Sequence, residues 1–324
     1  MANFAAKIFV SVARVAAHLP AMKGKDGLFL RLFNLLGLKS EHIYVDTLLR
    51  VPIRYRVRLD LHSWLQRLAY VSGGYEADTV RFLVKLHENT AKAGFILDIG
   101  ANIGLIGIPA ALIIRARHKD QSNKPHVICV EAVPDNEKAL RHNVALNEAQ
   151  ELISVIGTGL GEVPAAVDIQ VEGDLKSGEG TGTANILPAG STLDPNGTYE
   201  CVRIPIQITT LDTLLRSGVL GGKCAVIKID TDGYDLKILK GGREFLNRDR
   251  PVIYGEFAAH CLNWHGESIS DVVEFARSLN YVVWPRLPGR DFKFTPAINT
   301  TSYSVDLLMV PAEFVGNFAW CSRT

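Results

Sequence analysis

Cysteine is scarce in this chain, and what there is shows no pattern. Cys129, Cys201, Cys224, Cys261 and Cys321 are the five thiols in 324 residues, an odd number with no CxxC pair. That arrangement excludes a disulfide framework and a zinc knuckle, and it fits reduced thiols in a cytoplasmic protein. Charge of one sign is missing too: 35 Lys and Arg stand against 34 Asp and Glu, a net +1. Broad attraction to nucleic acid is therefore not expected, and no basic, aromatic-interleaved tract argues for it. No apolar run is long enough to span a bilayer, and there is no internal repeat or low-complexity tract. Asn196-Gly-Thr198 and Asn299-Thr-Thr301 fit the glycosylation pattern, but without a secretory signal they read as chance matches.

What is present is an ordinary globular composition, 47% hydrophobic and 21% charged, in a chain long enough to bury a large core. Residues 3–19 are largely apolar, with Lys7, Ser11, Arg14 and His18 at helical spacing. The polar groups fall in one narrow stripe, which predicts a helix whose wide apolar face packs on its own domain or a second subunit. Contact with a membrane surface is the alternative. Residues 23–50 read as short helices, 55–61 as an exposed strand and 78–90 as a helix.

The rhythm then changes. Strands are expected at 95–99, 127–130, 153–156, 225–229, 252–254, 281–284 and 305–310. Helices are expected at 104–117, 136–147, 236–245 and 270–279. Short apolar strands alternating with helices imply an α/β fold, a doubly wound parallel sheet covered on both faces. Residues 173–200, broken by Gly-Asp, Ser-Gly, Gly-Glu-Gly and Pro-Asn-Gly, read as a long mobile loop inside a β-hairpin excursion, either a substrate cover or a plain surface loop.

In such a sheet, ligands sit beyond the carboxyl ends of the strands. Gly100, Asn102 and Gly104 directly follow the strand "FILDI", so the backbone there can turn tightly and approach a ligand closely. Glu131 ends the next strand, where an acid can take both hydroxyls of a ribose. Together these residues point to a nucleoside-containing cofactor, either NAD or S-adenosylmethionine (SAM). Asp98 separates the two. A carboxylate just before the glycine turn repels a pyrophosphate but favours the ammonium of a methionine. The turn also lacks the G-x-G-x-x-G register, so it favours SAM.

Four segments, "GGYEADTVRFL", "FILDIGANIGLIGIPAA", "VICVEAVPDNEKALRHNVALN" and "VIKIDTDGYDLKILKGG", resemble in order and spacing the FkbM-like family of SAM-dependent methyltransferases. The resemblance covers about residues 70–285. It implies a class I methyltransferase (Rossmann-like) sheet with a reversed final hairpin. Residues 1–69 would be an N-terminal helical and β extension, and residues 70–324 the methyltransferase domain. Family activity, where assigned, is O-methylation of hydroxyls, so the implied acceptor is a small molecule, glycan or glycolipid. Carried over, Glu76, Asp98, Gly100, Asn102 and Gly104 would surround the methionine and sulfonium end. Glu131 would hold the ribose, with Ala132 against the adenine. Asp230 would face the transferred methyl, and Glu256 matches an acid common after the next strand. Where the family usually reads Asp-x-Glu-Gly, this chain has Asp230-Thr-Asp232-Gly233, a shorter carboxylate.

An alcohol acceptor needs a base within hydrogen-bond reach. The candidates are Asp230, Glu256 and His260, the last two sharing a face if their segment is helical. His260-Cys261-x-x-x-His265 lacks a third and fourth ligand, so no metal is expected. Trp264, Trp284 and Trp320 suit either a sugar face or the core. A non-catalytic SAM-binding protein and an NAD-dependent oxidoreductase remain as alternatives.

Overall fold

A computed structural model describes residues 2–17, 25–38, 42–90, 94–117, 126–175, 184–188, 199–287, 289, 292–297 and 303–321. Both glycosylation patterns fall at least partly outside these residues. The chain opens with helices α1 (Ala2–Ala17) and α2 (Lys25–Leu35), then an antiparallel hairpin of β1 (Tyr44–Leu49) and β2 (Tyr55–Asp60). Helices α3 (Trp64–Ser72) and α4 (Ala77–Asn89) follow. Finding β1 corrects the expectation of helices throughout 23–50. The apolar face of β2 reaches the core only if both backbone edges are bonded, and β1 takes one of them. The other is met by Asn143 and Asn147, whose Oδ1 atoms accept from the backbone N–H of Arg58 and Arg56, each at 2.8 Å.

The alternating part winds as expected. Strands β3 (Phe95–Ile99), β4 (Val127–Glu131) and β5 (Ile153–Gly157) are linked by helices α5 (Gly107–Arg117) and α6 (Pro134–Leu146). A separate four-stranded sheet interrupts: β6 (Gly159–Leu160), β7 (Ala165–Leu175), β8 (Ala184–Ile186) and β9 (Tyr199–Thr209), in the order β6-β9-β7-β8. The described part of the excursion is thus a sheet, and residues 176–183 and 189–198 of the expected mobile loop lie outside the described residues. After α7 (Leu211–Arg216) the main sheet resumes with β10 (Cys224–Ile229), α8 (Asp235–Lys240), α9 (Arg243–Asp249) and β11 (Val252–Ala258). It closes with α10 (Ala259–Asn263), α11 (Ile269–Ser278), β12 (Tyr281–Pro285) and β13 (Ser304–Pro311).

The one helix expected at 236–245 is two, broken at Gly241-Gly242. A side chain on Gly241 would stand 2.1 Å from the carbonyl oxygen of Gly161, so the backbones meet there and the helix ends.

The main sheet has seven strands in the order β12-β13-β11-β10-β3-β4-β5, with β13 antiparallel between β12 and β11 and the rest parallel. This is a doubly wound sheet with its final hairpin reversed, the arrangement that the resemblance implies. Strand neighbours alternate between its two faces: Ile96 and Val226 belong to one core cluster, Leu97 and Ile227 to the other. Phe9, Phe33, Val57 and Ala69 of the extension share the first cluster with Ile96, Ile108 and Val127. Cys129, Cys224, Cys261 and Cys321 are buried thiols. Trp284 is core, 6% exposed. Trp320 is partly buried beneath the Lys85 ammonium, and Trp264 is at the surface.

Candidate active site

The chain order reverses between β3 and β10, where a doubly wound sheet opens a crevice at its carboxyl ends. Ile99 and Ile229 end these strands opposite one another. Gly100 follows at φ +75°, and a side chain there would come within 2.0 Å of the carbonyl oxygen of Asp230. Asn102 also takes a left-handed φ of 50°, and Gly104 one of 90°. Such angles suit glycine and asparagine. An open cleft of about 670 Å³ lies over this turn.

Glu131 forms one side of the cleft. Its Oε2 accepts from the Asn102 N–H at 2.7 Å and its Oε1 from the Val133 N–H at 2.8 Å. The Asn136 side chain bonds this carboxylate as well, and a remaining lone pair can accept from a ribose hydroxyl. Burial pushes its carboxyl above the ordinary range, and these backbone donors oppose the shift. Ala132, Val133, Ile169 and Ile186 supply apolar wall for a flat ring, the isoleucines coming from β7 and β8. The charged lining residues are Glu131, Asp230 and Asp232, all acidic. An apolar wall with hydroxyl acceptors and negative charge fits a nucleoside carrying a cation, and it opposes a pyrophosphate.

Asp98 does not line the cleft. It is 1% exposed and sits beside Lys228 in the sheet register, with Lys228 Nζ at 3.3 Å. Parallel pairing puts the two side chains on the same face, so the lysine answers the charge that was expected to face the methionine end. Burial raises the Asp98 carboxyl, and Lys228 pulls it back. Burial alone would lower the Lys228 ammonium, but the carboxylates of Asp98, Asp230 and Glu76 outweigh it and hold it above the usual lysine value. Its Nζ also donates to the Gly100 carbonyl at 3.1 Å and stands 3.5 Å from Asp230. Lys228 therefore ties β3, the glycine turn and Asp230 together.

Beyond Asp230 the backbone turns sharply before α8. Asp235 is 1% exposed and accepts from the Thr231 N–H and hydroxyl at 2.9 and 2.8 Å and from the Gly233 N–H at 3.0 Å. Burial holds its carboxyl up at about 6. Asp232 sits between these donors at φ +50°, a left-handed conformation that aspartate adopts more readily than glutamate. Burial and then Asp230, Asp235 and Glu256 push its carboxyl up to about 7.

A second cleft, of about 770 Å³, opens on the far side of Asp230. Glu76, Asp78, Lys228, Tyr254, Glu256, Arg286 and Asp306 give it its polar character, and Asp230 is the residue common to both linings. Glu76 is the residue before α4, at φ +36°. Glu256 Oε1 accepts from the Ser304 hydroxyl at 2.6 Å, and burial raises its carboxyl. Asp306 is held by Tyr254 Oη at 3.0 Å and Arg286 Nη1 at 2.8 Å.

Glu256 and His260 do not share a helical face. Glu256 is on β11 and His260 on α10. His260 lines neither cleft and stacks on Tyr303 at 4.5 Å between ring centroids. Among the described residues, no group of three or more His, Cys, Asp and Glu is placed to hold a metal. Lys228, Asp235, Arg286 and Asp306 went unassigned in the sequence. "KIDTDGYD" contains the first two, but a lysine inside an apolar strand has been the one signal available there.

Residues 98–283, more than half of the chain, match the family model described as the Methyltransferase FkbM domain. No curated protein matches. Among solved structures, the methyltransferase FkbM from Methylobacillus flagellatus KT is 15% identical with a TM-score of 0.37; the alignment covers 88% of this chain and 60% of that one. This chain thus spans less than two thirds of that protein's length. The precorrin-6y C5,15-methyltransferase from Geobacter metallireducens GS-15 is 13% identical with a TM-score of 0.35, over 72% of this chain and 87% of that one. The Pyrococcus abyssi tRNA (uracil-54, C5)-methyltransferase, in complex with S-adenosyl-L-homocysteine, is 12% identical with a TM-score of 0.35, over 82% and 43%.

Proposed function

The chain belongs to the FkbM methyltransferase family, and from that premise we propose that it is a SAM-dependent O-methyltransferase acting on a hydroxyl of a sugar-containing or similar small polar acceptor. The observation that supports this best is Asp230, common to a cleft suited to a nucleoside and a second, polar cleft. SAM, when bound, supplies an electrophilic methyl on a sulfonium, a good leaving group for in-line displacement. Glu131 would hold its ribose and Ala132 its adenine. Asp230, Asp232 and the turn of Gly100, Asn102 and Gly104 would surround the methionine and sulfonium end, Glu76 approaching from the second cleft.

The protein's own residues would then align an acceptor oxygen and take its proton. Asp230 is the base favoured here, because reach decides before basicity and it alone borders both clefts. Glu256, with Oε1 on Ser304, keeps Oε2 for a second acceptor hydroxyl. Five carboxylates against Lys228 and Arg286 in the second cleft disfavour phosphorylated or carboxylated acceptors. The acidic lining of the first cleft likewise disfavours NAD.

Isothermal titration with S-adenosylhomocysteine is the first test. Wild type should bind, and Glu131→Ala should weaken binding by about 1–3 kcal/mol, the cost of unmade buried hydrogen bonds. Asp230→Asn should keep that binding and lose turnover on a panel of neutral sugar acceptors. Folded wild type that binds no S-adenosylhomocysteine would overturn the reading.

A further inference from the structure

Helix α1 keeps only part of its apolar surface in the core. Phe9 and Ala13 are fully buried, Phe9 against the rings of Phe29 and Phe33 at 6.4 and 5.1 Å. On the adjoining face Phe4, Ile8, Val12 and Val15 are 71%, 38%, 42% and 67% exposed. They recur every three or four residues, so they form one continuous ridge along the helix. Lys7 and Arg14 are exposed at its edge.

The charge on this helix has a single sign: α1 carries Lys7 and Arg14 and no Asp or Glu, in a chain whose net charge is only +1. Helix α2 also presents apolar side chains, with Leu28 66% and Leu35 83% exposed and Arg31 exposed between them, although its second residue is Asp26. Among the described residues no helix is long and apolar enough to cross a membrane. A ridge of bulky apolar side chains with a basic edge suits a helix lying in the plane of the interface. Its apolar side chains enter the acyl boundary, and Lys7 extends to the headgroups. A second copy of the chain is a poorer occupant, because two such faces would bring like charges together with no acid between them.

We propose that α1 docks the protein, in plane, on an anionic membrane surface. Flotation of the full chain with vesicles tests this without reading catalysis. Wild type should float with phosphatidylcholine–phosphatidylglycerol vesicles, bind less as salt rises, and bind vesicles of phosphatidylcholine alone much less. Phe4→Ser with Val15→Ser, two positions exposed by more than half, should keep the thermal melt of wild type and lose at least about tenfold in vesicle binding. Lys7→Glu should weaken binding to the anionic vesicles only.

Wild type that stays at the bottom of the gradient with anionic vesicles would overturn the proposal. So would a double variant that melts like wild type and floats equally well. Light scattering provides the third arm: a wild-type dimer that the double variant converts to monomer would give the ridge to a second copy instead.

Discussion

A buried ammonium is tolerated only while its counter-charges remain, and Lys228 rests on Asp98 at 3.3 Å and Asp230 at 3.5 Å. Removing one partner from a buried pair strands the other charge and costs about 3–5 kcal/mol. Lys228→Met is therefore expected to lower the unfolding free energy in urea by that order, and adding Asp98→Asn should restore part of it. A single variant within about 1 kcal/mol of wild type would mean that Asp98 carries no charge in the fold. Asp232 gives a pH dependence. Its carboxyl titrates near 7 in the fold against an ordinary value of 3.8, so the folded protein holds a proton that the unfolded chain has lost. Its contribution to stability is complete below the ordinary value and is lost as pH rises through 7. Above that pH it adds a negative charge to the first cleft. The preference for cationic SAM over S-adenosylhomocysteine should thus grow as pH passes 7, and Asp232→Asn should remove the growth. Paired calorimetric titrations on both sides of that pH decide it.

Elements in this fold are often completed by side chains from elsewhere. Asp212, in the first turn of α7, accepts from the Glu244 and Phe245 N–H groups at the start of α9. Asn143 of α6 does more. It is fully buried, accepts from Arg58 N–H on β2, and donates from Nδ2 to the Ile103 carbonyl beside the glycine turn at 3.0 Å. Asn143→Ala leaves those groups unpaired at about 1–3 kcal/mol each. We expect a lower melting temperature, faster amide exchange at Arg58 and weaker S-adenosylhomocysteine binding together. Asn147→Ala, at a half-buried position that does not touch the turn, should cost less and leave binding unchanged. Equal binding loss in both variants would remove Asn143's link to the site.

At the scale of the whole molecule, the extension and the sheet share a core. Phe9, Phe33 and Val57 lie in one buried cluster with Ile108 and Val127. A boundary at residues 69–70 therefore divides the sequence without dividing the packing. We expect one cooperative unfolding transition by calorimetry. Phe9→Ala should cost about 3–5 kcal/mol, as other large-to-small core changes do, with unaltered S-adenosylhomocysteine affinity in the molecules that stay folded. Two separate transitions would mean that residues 1–69 are an independent unit. The excursion sheet acts at this scale too, because Ile169 and Ile186 bring its strands over the first cleft.

The sequence alone determined the winding of the sheet and the glycine turn with Glu131 opposite it, while the reversed last hairpin was implied by the family resemblance. The winding and the turn are written locally, in strand and helix periods and in residues that accept a positive φ, so a short window suffices to read them. Tertiary structure decided the rest. The register of β3 on β10 sets Lys228 beside Asp98 and takes Asp98 out of the cleft. The step from β11 to α10 parts His260 from Glu256. Packing against Phe29 and Phe33 selects which apolar face of α1 is buried and leaves Phe4, Ile8, Val12 and Val15 at the surface. Each of these depends on which distant segment arrives alongside, and local residue spacing carries no information about that.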